Sequence, residues 1–488
     1  MEQVLEGVIP AAGKGVRARP YTANTHKGML DINGKPNIQR IIEIMRDELA
    51  IRRIVIIVGH LGDSIRAYFG DGDALGVELV YVQNDDLDKG LAWSVYLAKS
   101  AINAQHFCIM LCDECYISSN HKEILDFDYQ PHFATCCGLA VDDTNLIKRN
   151  FAVYLDAANS ITRLEEKPRS VSSRIMGTGT FVCDQRVFDL LEDGFAQSSP
   201  DPIDFVTTLF RGQQGADTLG YFEIKGTYVN INDRDSLYLA KYHDRKRNLP
   251  TYSKALLIYS EGAEENIEFT IEHYAQLDLF TRIVVVLPFR NELEEVIGNT
   301  AAEALICPGE LTLYGEKLKY AMQRTGEDII VLTEADYSFP SRDVEKLLTY
   351  MPEADMVVGT RTTRQLIEQG SNMRGLVRLA NSFLGRLVEL LWWNRRGRYT
   401  DVGCTFRAIW KNEFEQVEKQ LTSRGPEFSA EMMITLLNRH RRVLEIPVNY
   451  YNRGQMIREK YQSASTFFRF LGLVISRRLR SGMPERPE

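Results

Sequence analysis

Short apolar runs alternate with helical patterns along this chain, and the alternation occurs twice. From Val4 it reads LEGVIPAAG, then IQRIIEIMRDEL, then RIVIIVG, then a polar turn and VELVYVQ. Such a rhythm demands a mostly parallel sheet with both faces covered, because parallel neighbours need a crossover that lies on a face. It weakens over 240–254, where AKYHDRKRNLPTYSK is polar, basic and carries Pro250. It restarts as KALLIYS, a helix from about Glu264 to Tyr274, RIVVVLP, a helix near 315–325, DIIVLTEAD and DMVVGTR. The expectation is an α/β chain of two tandem Rossmann-like domains with mostly parallel central sheets, 1–248 and 249–488.

The length of 488 residues agrees, because single cores stop growing near about 250 to 300 residues. The net charge of −8 gives no footprint for nucleic acid. Eight cysteines in so long a chain do not make a disulfide framework, and MEQVLEGVIP lacks the basic start of a secretory signal. The expected setting is cytoplasmic and reducing. Cys112 and Cys115 form a CxxC that Cys136 and Cys137 could complete as a zinc site by count, but the second pair lacks the spacing and CIMLCDECY reads as a buried strand end. No uncharged apolar run reaches membrane-spanning length, so a soluble or peripheral protein is expected.

The segment IPAAGKGVRARPYT, 9–22, follows a predicted strand and enters a helix. Gly13 and Gly15 let the backbone at Ala12–Gly15 bend toward a ligand, so that amide N–H groups can face phosphate oxygens while Lys14 and Arg17 bring positive charge. A triphosphate cradle fits this pattern; a plain glycine turn with exposed basic residues is the alternative.

AAGKGVRARP resembles the signature loop of the sugar-1-phosphate nucleotidylyltransferases, and further motifs follow in that family's order. Lys27 matches the second signature lysine and Lys35-Pro36 the turn after it. Gln83 and Gly90-Leu91-Ala92 resemble the base-reading segment, with Leu91 in place of Thr. Asp113 matches the metal-binding aspartate, although Cys112 stands where Gly is usual. Glu166-Lys167-Pro168 reproduces the EKP motif, and Thr178-Gly179-Thr180-Phe181 resembles the sugar-facing strand.

The resemblance implies attack of a phosphate monoester on the α-phosphate of a nucleoside triphosphate, releasing pyrophosphate. Both reactants are anions, so positioning and charge neutralisation carry such a reaction. Arg17 and Lys27 would hold the triphosphate, Lys167 the second phosphate, and Glu166 and Gly179 the rest of that substrate. Asp113 would hold Mg²⁺, with Mn²⁺ as the alternative. The family's second metal-binding Asp is here Asn230, in YVNINDRDSL, with Asp233 nearby. The monoester is a sugar 1-phosphate on one reading, and choline phosphate or a phosphonate, loaded by a cytidylyltransferase, on the other.

Residues 255–461 resemble the family-2 inverting glycosyltransferases, closest to the branch of dolichyl-phosphate mannose synthase. The resemblance rests on TEADYSFP, VVGTR, TDVGCTFRAIWK, PEFSAEM and EIPVNYYNRG. It implies that Glu334 and Asp336 hold a divalent ion, that Asp401 is the general base, and that Arg407 and Arg453 meet phosphate oxygens. Two departures fall at the nucleotide end: Gly262-Ala263 replace Asn-Glu, and VVVLPFRNEL lacks the usual Asp-Asp segment. The full reading is a bifunctional enzyme that makes a nucleotide-sugar and passes the sugar to an acceptor, with a lipid phosphate as one candidate. The alternative is one nucleotidylyltransferase activity joined to an inactive transferase-like module, in which Glu334, Asp401 and Glu431 only support the fold.

Two segments carry amphipathic patterns. In NMRGLVRLANSFLGRLVELLWWNRR, Leu376, Phe383, Leu384, Leu387, Leu391 and Trp392 fall on one helical face. In SASTFFRFLGLVISRRLR, Phe467, Phe468, Leu471, Val474 and Ile475 do the same, and 464–488 carry a net charge of +3. Core packing, an oligomer interface and peripheral contact with the cytoplasmic membrane face are the expectations for such stripes.

Overall fold

The structure is a computed structural model that describes residues 5–198, 202–213, 218–368, 375–393, 397–451 and 464–480. It divides into two compact units, Met1–His243 and Asp244–Glu488.

In the first unit, strands Glu78–Gln83, Arg53–Val58, Leu5–Ala11 and His106–Met110 lie side by side in that order, all parallel. The antiparallel strand Ile175–Asp184 follows, pairing with His106–Met110, His132–Ala140 and Phe151–Leu155. Alternate residues feed opposite faces, as the two-residue period requires. Ile54, Ile56 and Val58 join one core with helix Asn37–Asp47, whose Ile38, Ile41, Ile42 and Met45 form its buried stripe. Val55 and Ile57 join the other core, with Ala92, Val95 and Phe107. A Cβ on Gly7 would stand 2.7 Å from Met45 Sδ, so a larger residue there would displace that side chain.

The second unit has the order Glu303–Ile306, Arg282–Leu287, Lys254–Tyr259, Ile329–Glu334, Arg407–Trp410, Met356–Thr360, Val443–Pro447. The first four strands are parallel, and Arg407–Trp410 is antiparallel to both its neighbours. Both units therefore share one plan: the third, second, first and fourth parallel strands in spatial order, then an antiparallel strand. The α/β class with parallel central strands is observed in both.

The basic stretch after 240 is not an open linker. Helix Arg234–Asn248 runs through it, and Lys241, Asp244 and Arg245 are buried. Arg245 donates to Ala354 O and Asp355 Oδ1, both at 2.9 Å, and lies over the Trp410 ring. Arg245 is thus buried in an ion pair, while Lys246 and Arg247 of the same helix are exposed.

Candidate active site

Ligands in open α/β sheets bind beyond the carboxyl ends of the strands, where the strand order reverses. In the first unit that point lies between Leu5–Ala11 and His106–Met110, and the loops leaving these strands carry the glycines and Asp113. Gly15 sits at φ +60°, its carbonyl accepting from Thr22 Oγ1 at 2.7 Å, and a Cβ there would press on Lys27 at 3.3 Å. The loop thus touches the segment that carries Lys27. Ala12 is buried, Gly13 faces open space, and Arg17 is exposed in the short turn Val16–Ala18. Lys14 reaches Asp88 at 3.1 Å, which brings the loop against the segment before Gly90.

Lys27 Nζ donates to Asp113 Oδ2 at 2.6 Å and to Asn232 Oδ1 at 3.0 Å. Asn232 in turn donates to Asn230 Oδ1 at 2.9 Å, and Asn230 donates to Asn150 Oδ1 at 3.0 Å. The carbonyl of Asn150 accepts the backbone N–H of Lys167 at 2.7 Å. One chain of contacts thus runs from Asp113 to the EKP turn, through three asparagines. Buried Asn37 fixes the Asp113 turn by donating to Cys112 O and Glu114 O, both at 2.9 Å.

Asp233 is committed elsewhere: its Oδ1 accepts from Ser236 N at 2.8 Å and from Ser236 Oγ at 2.7 Å, starting helix Arg234–Asn248. Lys167 adopts φ +44° and its ammonium lies 2.7 Å from Glu166 Oε1. Burial raises the pKa of the Glu166 carboxyl, and Lys167 opposes that shift. Gln83 stands at its strand end, accepting from Arg66 at 3.3 Å and donating to Asp85 at 3.2 Å. Gly90 opens helix Gly90–Leu97 at φ +79°, with no atom within 4 Å of where a Cβ would be. Its backbone is open to a flat ligand.

Glu114 was not singled out from sequence, yet it organises the site. It is buried and accepts from Gly179 N at 2.8 Å, Tyr116 OH at 2.6 Å and Tyr228 OH at 2.6 Å. Burial pushes its carboxyl up to about 7, against the pull of these donors. A Cβ on Gly179 would stand 2.4 Å from Leu111 Cδ1 and 2.8 Å from Glu114 Oε2, so only glycine lets this strand close on the Asp113 turn. All eight cysteines are buried. No group of three or more His, Cys, Asp or Glu side chains placed to hold a metal occurs among the described residues.

In the second unit, Glu334 ends strand Ile329–Glu334 and accepts from Thr405 Oγ1 at 2.7 Å. Burial, then the charge of Asp336, pushes it up to about 7. Burial likewise raises Asp336, against its bonds from Ser338 N at 2.9 Å and Ser338 Oγ at 2.6 Å. Asp401 is fully buried and accepts from Arg361 Nε at 2.8 Å and Nη2 at 2.9 Å. Arg407 is fully buried and donates to Cys404 O and to Ser429 O, the latter at 2.6 Å. The Arg407 fork is held by carbonyls inside the fold. Arg453 lies outside the described residues.

Glu431 is buried as well, accepting from Thr422 N at 3.0 Å, Ser423 N at 2.8 Å and Arg477 Nη2. Arg477 belongs to helix Ala464–Arg480, whose Phe470 and Val474 are buried in the unit's core. The terminal helix is therefore packed on the second unit.

Residues 6–244 match the family model "Nucleotidyl transferase". Curated relatives include the bifunctional protein GlmU of Methanocaldococcus jannaschii, 28% identical over 38% of this chain and 42% of that protein. The low-salt glycan biosynthesis nucleotidyltransferase Agl11 of Haloferax volcanii is 28% identical over 38% of this chain and 52% of its own length. UTP–glucose-1-phosphate uridylyltransferase AglF of the same organism is 26% identical over 38% of this chain and 74% of its own. The chain spans about half the length of the first two of these relatives. With the loop, Lys27, Asp113 and the EKP turn gathered at one strand-order reversal, the N-terminal half of the chain is a nucleotidyl transferase domain.

Proposed function

We propose that the first unit joins a nucleoside triphosphate to a sugar 1-phosphate, forming a nucleotide-sugar and pyrophosphate. The observation that carries this is the contact chain from Asp113 through Lys27, Asn232, Asn230 and Asn150 to Lys167. It links a triphosphate-side cation to a second-substrate cation through neutral amides. Arg17 and Lys14 supply further charge at the glycine loop, and Lys167 receives the phosphate monoester. The curated relatives include a glucose-1-phosphate uridylyltransferase, which supports a sugar phosphate over other monoesters.

The donors at Asp113 are all oxygens, with one carboxylate, which suits an ion that keeps most of its shell on substrate phosphates and water. Asp113 and the amide oxygen of Asn230 would hold Mg²⁺ or Mn²⁺, whose chemistry is to neutralise the triphosphate. Lys27 already neutralises Asp113, so substrate binding exchanges partners at that lysine.

For the second unit the reading is glycosyl transfer from the nucleotide-sugar to a lipid phosphate at a membrane surface, with Glu334 and Asp336 as its divalent-ion ligands. A second reading is favoured by Asp401, both of whose oxygens are bound by Arg361. In it the unit binds the product without transferring it.

The test is pyrophosphate release by the full chain, across nucleoside triphosphates and phosphate monoesters, followed by nucleotide-sugar consumption with a lipid-phosphate acceptor. Release without consumption selects the second reading. No release with any sugar 1-phosphate overturns the first.

A further inference from the structure

Helix Ala464–Arg480 carries two apolar stripes, not one. Phe470 and Val474 face the core, while Phe468, Ile475 and Leu479 are exposed, Phe468 by 65% and Leu479 by 78%. The exposed set recurs at i, i+7 and i+11, with Gly472 between, which is one side of a helix. Helix Gly375–Leu391 repeats the pattern: Leu384 and Val388 are buried, and Leu379, Phe383 and Leu390 are exposed. The helices touch through Phe383 and Phe467, whose ring centroids are 6.4 Å apart. Seven of the sixteen large hydrophobic side chains exposed among the described residues, Trp393 included, lie on this pair or just after it.

Charge says what covers such a face. The terminal helix holds four arginines and no acid, in a chain whose net charge is −8. Arg477 turns inward to Glu431. On the helical wheel Arg469 and Arg480 border the exposed stripe on one side and Arg478 borders it on the other. A second copy of the same face would set arginine against arginine. An anionic headgroup layer would instead pair with the arginines while the aromatic and aliphatic stripe sinks to the acyl boundary.

No described helix is long and apolar enough to cross a membrane, so the face lies on the bilayer rather than in it. We propose that helices Gly375–Leu391 and Ala464–Arg480 form a platform that docks the second unit flat on anionic lipid. This rests on the reading of that unit as one acting on a lipid-phosphate acceptor. Vesicle binding is measured without any reaction, so its failure and a failure of transfer are distinguishable.

The experiment is co-sedimentation of the full chain with phosphatidylcholine vesicles, with and without phosphatidylglycerol, at low and high salt. Binding only to the anionic vesicles, weakened by salt, is expected. The Phe468→Glu/Leu479→Glu variant should lose at least about tenfold in binding with its melting temperature unchanged, since both side chains are exposed. Arg469→Gln and Arg480→Gln should each cost about fivefold. A Phe383→Ser/Leu390→Asn protein gives the same reading from the other helix should the first variant fail to fold. Wild-type protein left in the supernatant with anionic vesicles overturns the proposal. So does unchanged binding by both double variants, or a lipid-free dimer that either variant dissociates.

Discussion

Lys27 holds Asp113 at 2.6 Å in the free protein, so the cation expected to meet a triphosphate begins on the carboxylate expected to meet a metal. The two groups mask each other until substrate arrives. Asp113→Ala should therefore divide binding from turnover. Released Lys27 holds the triphosphate at least as tightly, while kcat for pyrophosphate release falls about a hundredfold or more, the scale of losing one main electrostatic stabiliser. Nucleotide titration and steady-state rates on the folded variant check this; near-normal kcat would remove Asp113 from the reaction.

At the far end of the same contact chain, Lys167→Ala should raise KM for the phosphate monoester about tenfold or more, the cost of one charge-assisted bond. KM for the nucleotide should hardly move. Equal rises for both substrates would count against the assigned role of Lys167.

Asp336→Asn should abolish consumption of the nucleotide-sugar while leaving pyrophosphate release intact, because its neighbours are Glu334 and Ser338 of the second unit. Product assays for the two reactions, run on one protein preparation, separate these effects. Parallel loss of both would mean that the variant acts through folding.

Arg477→Ala leaves Glu431 buried without its cation and should cost about 3 kcal/mol or more, the usual penalty for breaking a buried pair from one side. Glu431→Gln in the same chain should restore much of the loss, because the uncompensated charge is gone. Thermal unfolding of the single and double variants gives the comparison. Failure of the second change to rescue the first would show that the ion pair is not what holds the helix down.

Burial pushes His26 and His121 down to about 4. Each stays neutral in the folded unit where the unfolded chain, titrating near about 6.5, binds a proton. Stability is therefore full above that value and falls as pH drops from about 6.5 toward 4, by about 3 kcal/mol per histidine at most. Urea titrations from pH 7.5 down to 4.5 test the sign, and His121→Gln should flatten the profile.

The βαβ rhythm was readable because buried parallel strands must be apolar on both faces, and RIVIIV and KALLIY are. Lys27 and Asp113 stood out as motif residues, and they meet. Asn232 did not, although it lies two positions from Asn230, because an amide in a turn has no sequence signature that separates a relay from a cap. Glu114 was hidden beside Asp113: an acid that supports the fold and one that faces a ligand look alike until their partners are known. Asp401 and Arg407 were legible as motif residues, but their partners were not: Arg361 lies distant in sequence from Asp401, as Ser429 does from Arg407. The tail was read as one apolar face because the five residues chosen share about a third of the wheel, and only the packing of Val474 against the exposure of Ile475 divides them.

The repeated order of the first four parallel strands has a consequence for how such a chain reaches its native state. Leu5–Ala11 and Lys254–Tyr259 each occupy the central slot of their own sheet, flanked on one side by a second strand and on the other by a fourth. While both halves are still unfolded, either segment could be accepted by the wrong set of edges, a misassembly to which tandem units of like topology are prone. The remedy lies in what the two halves do not share. Gly7 leaves a notch that Met45 fills, and Lys254–Tyr259 has no glycine to offer it. Divergence between the halves keeps each newborn strand loyal to its own sheet.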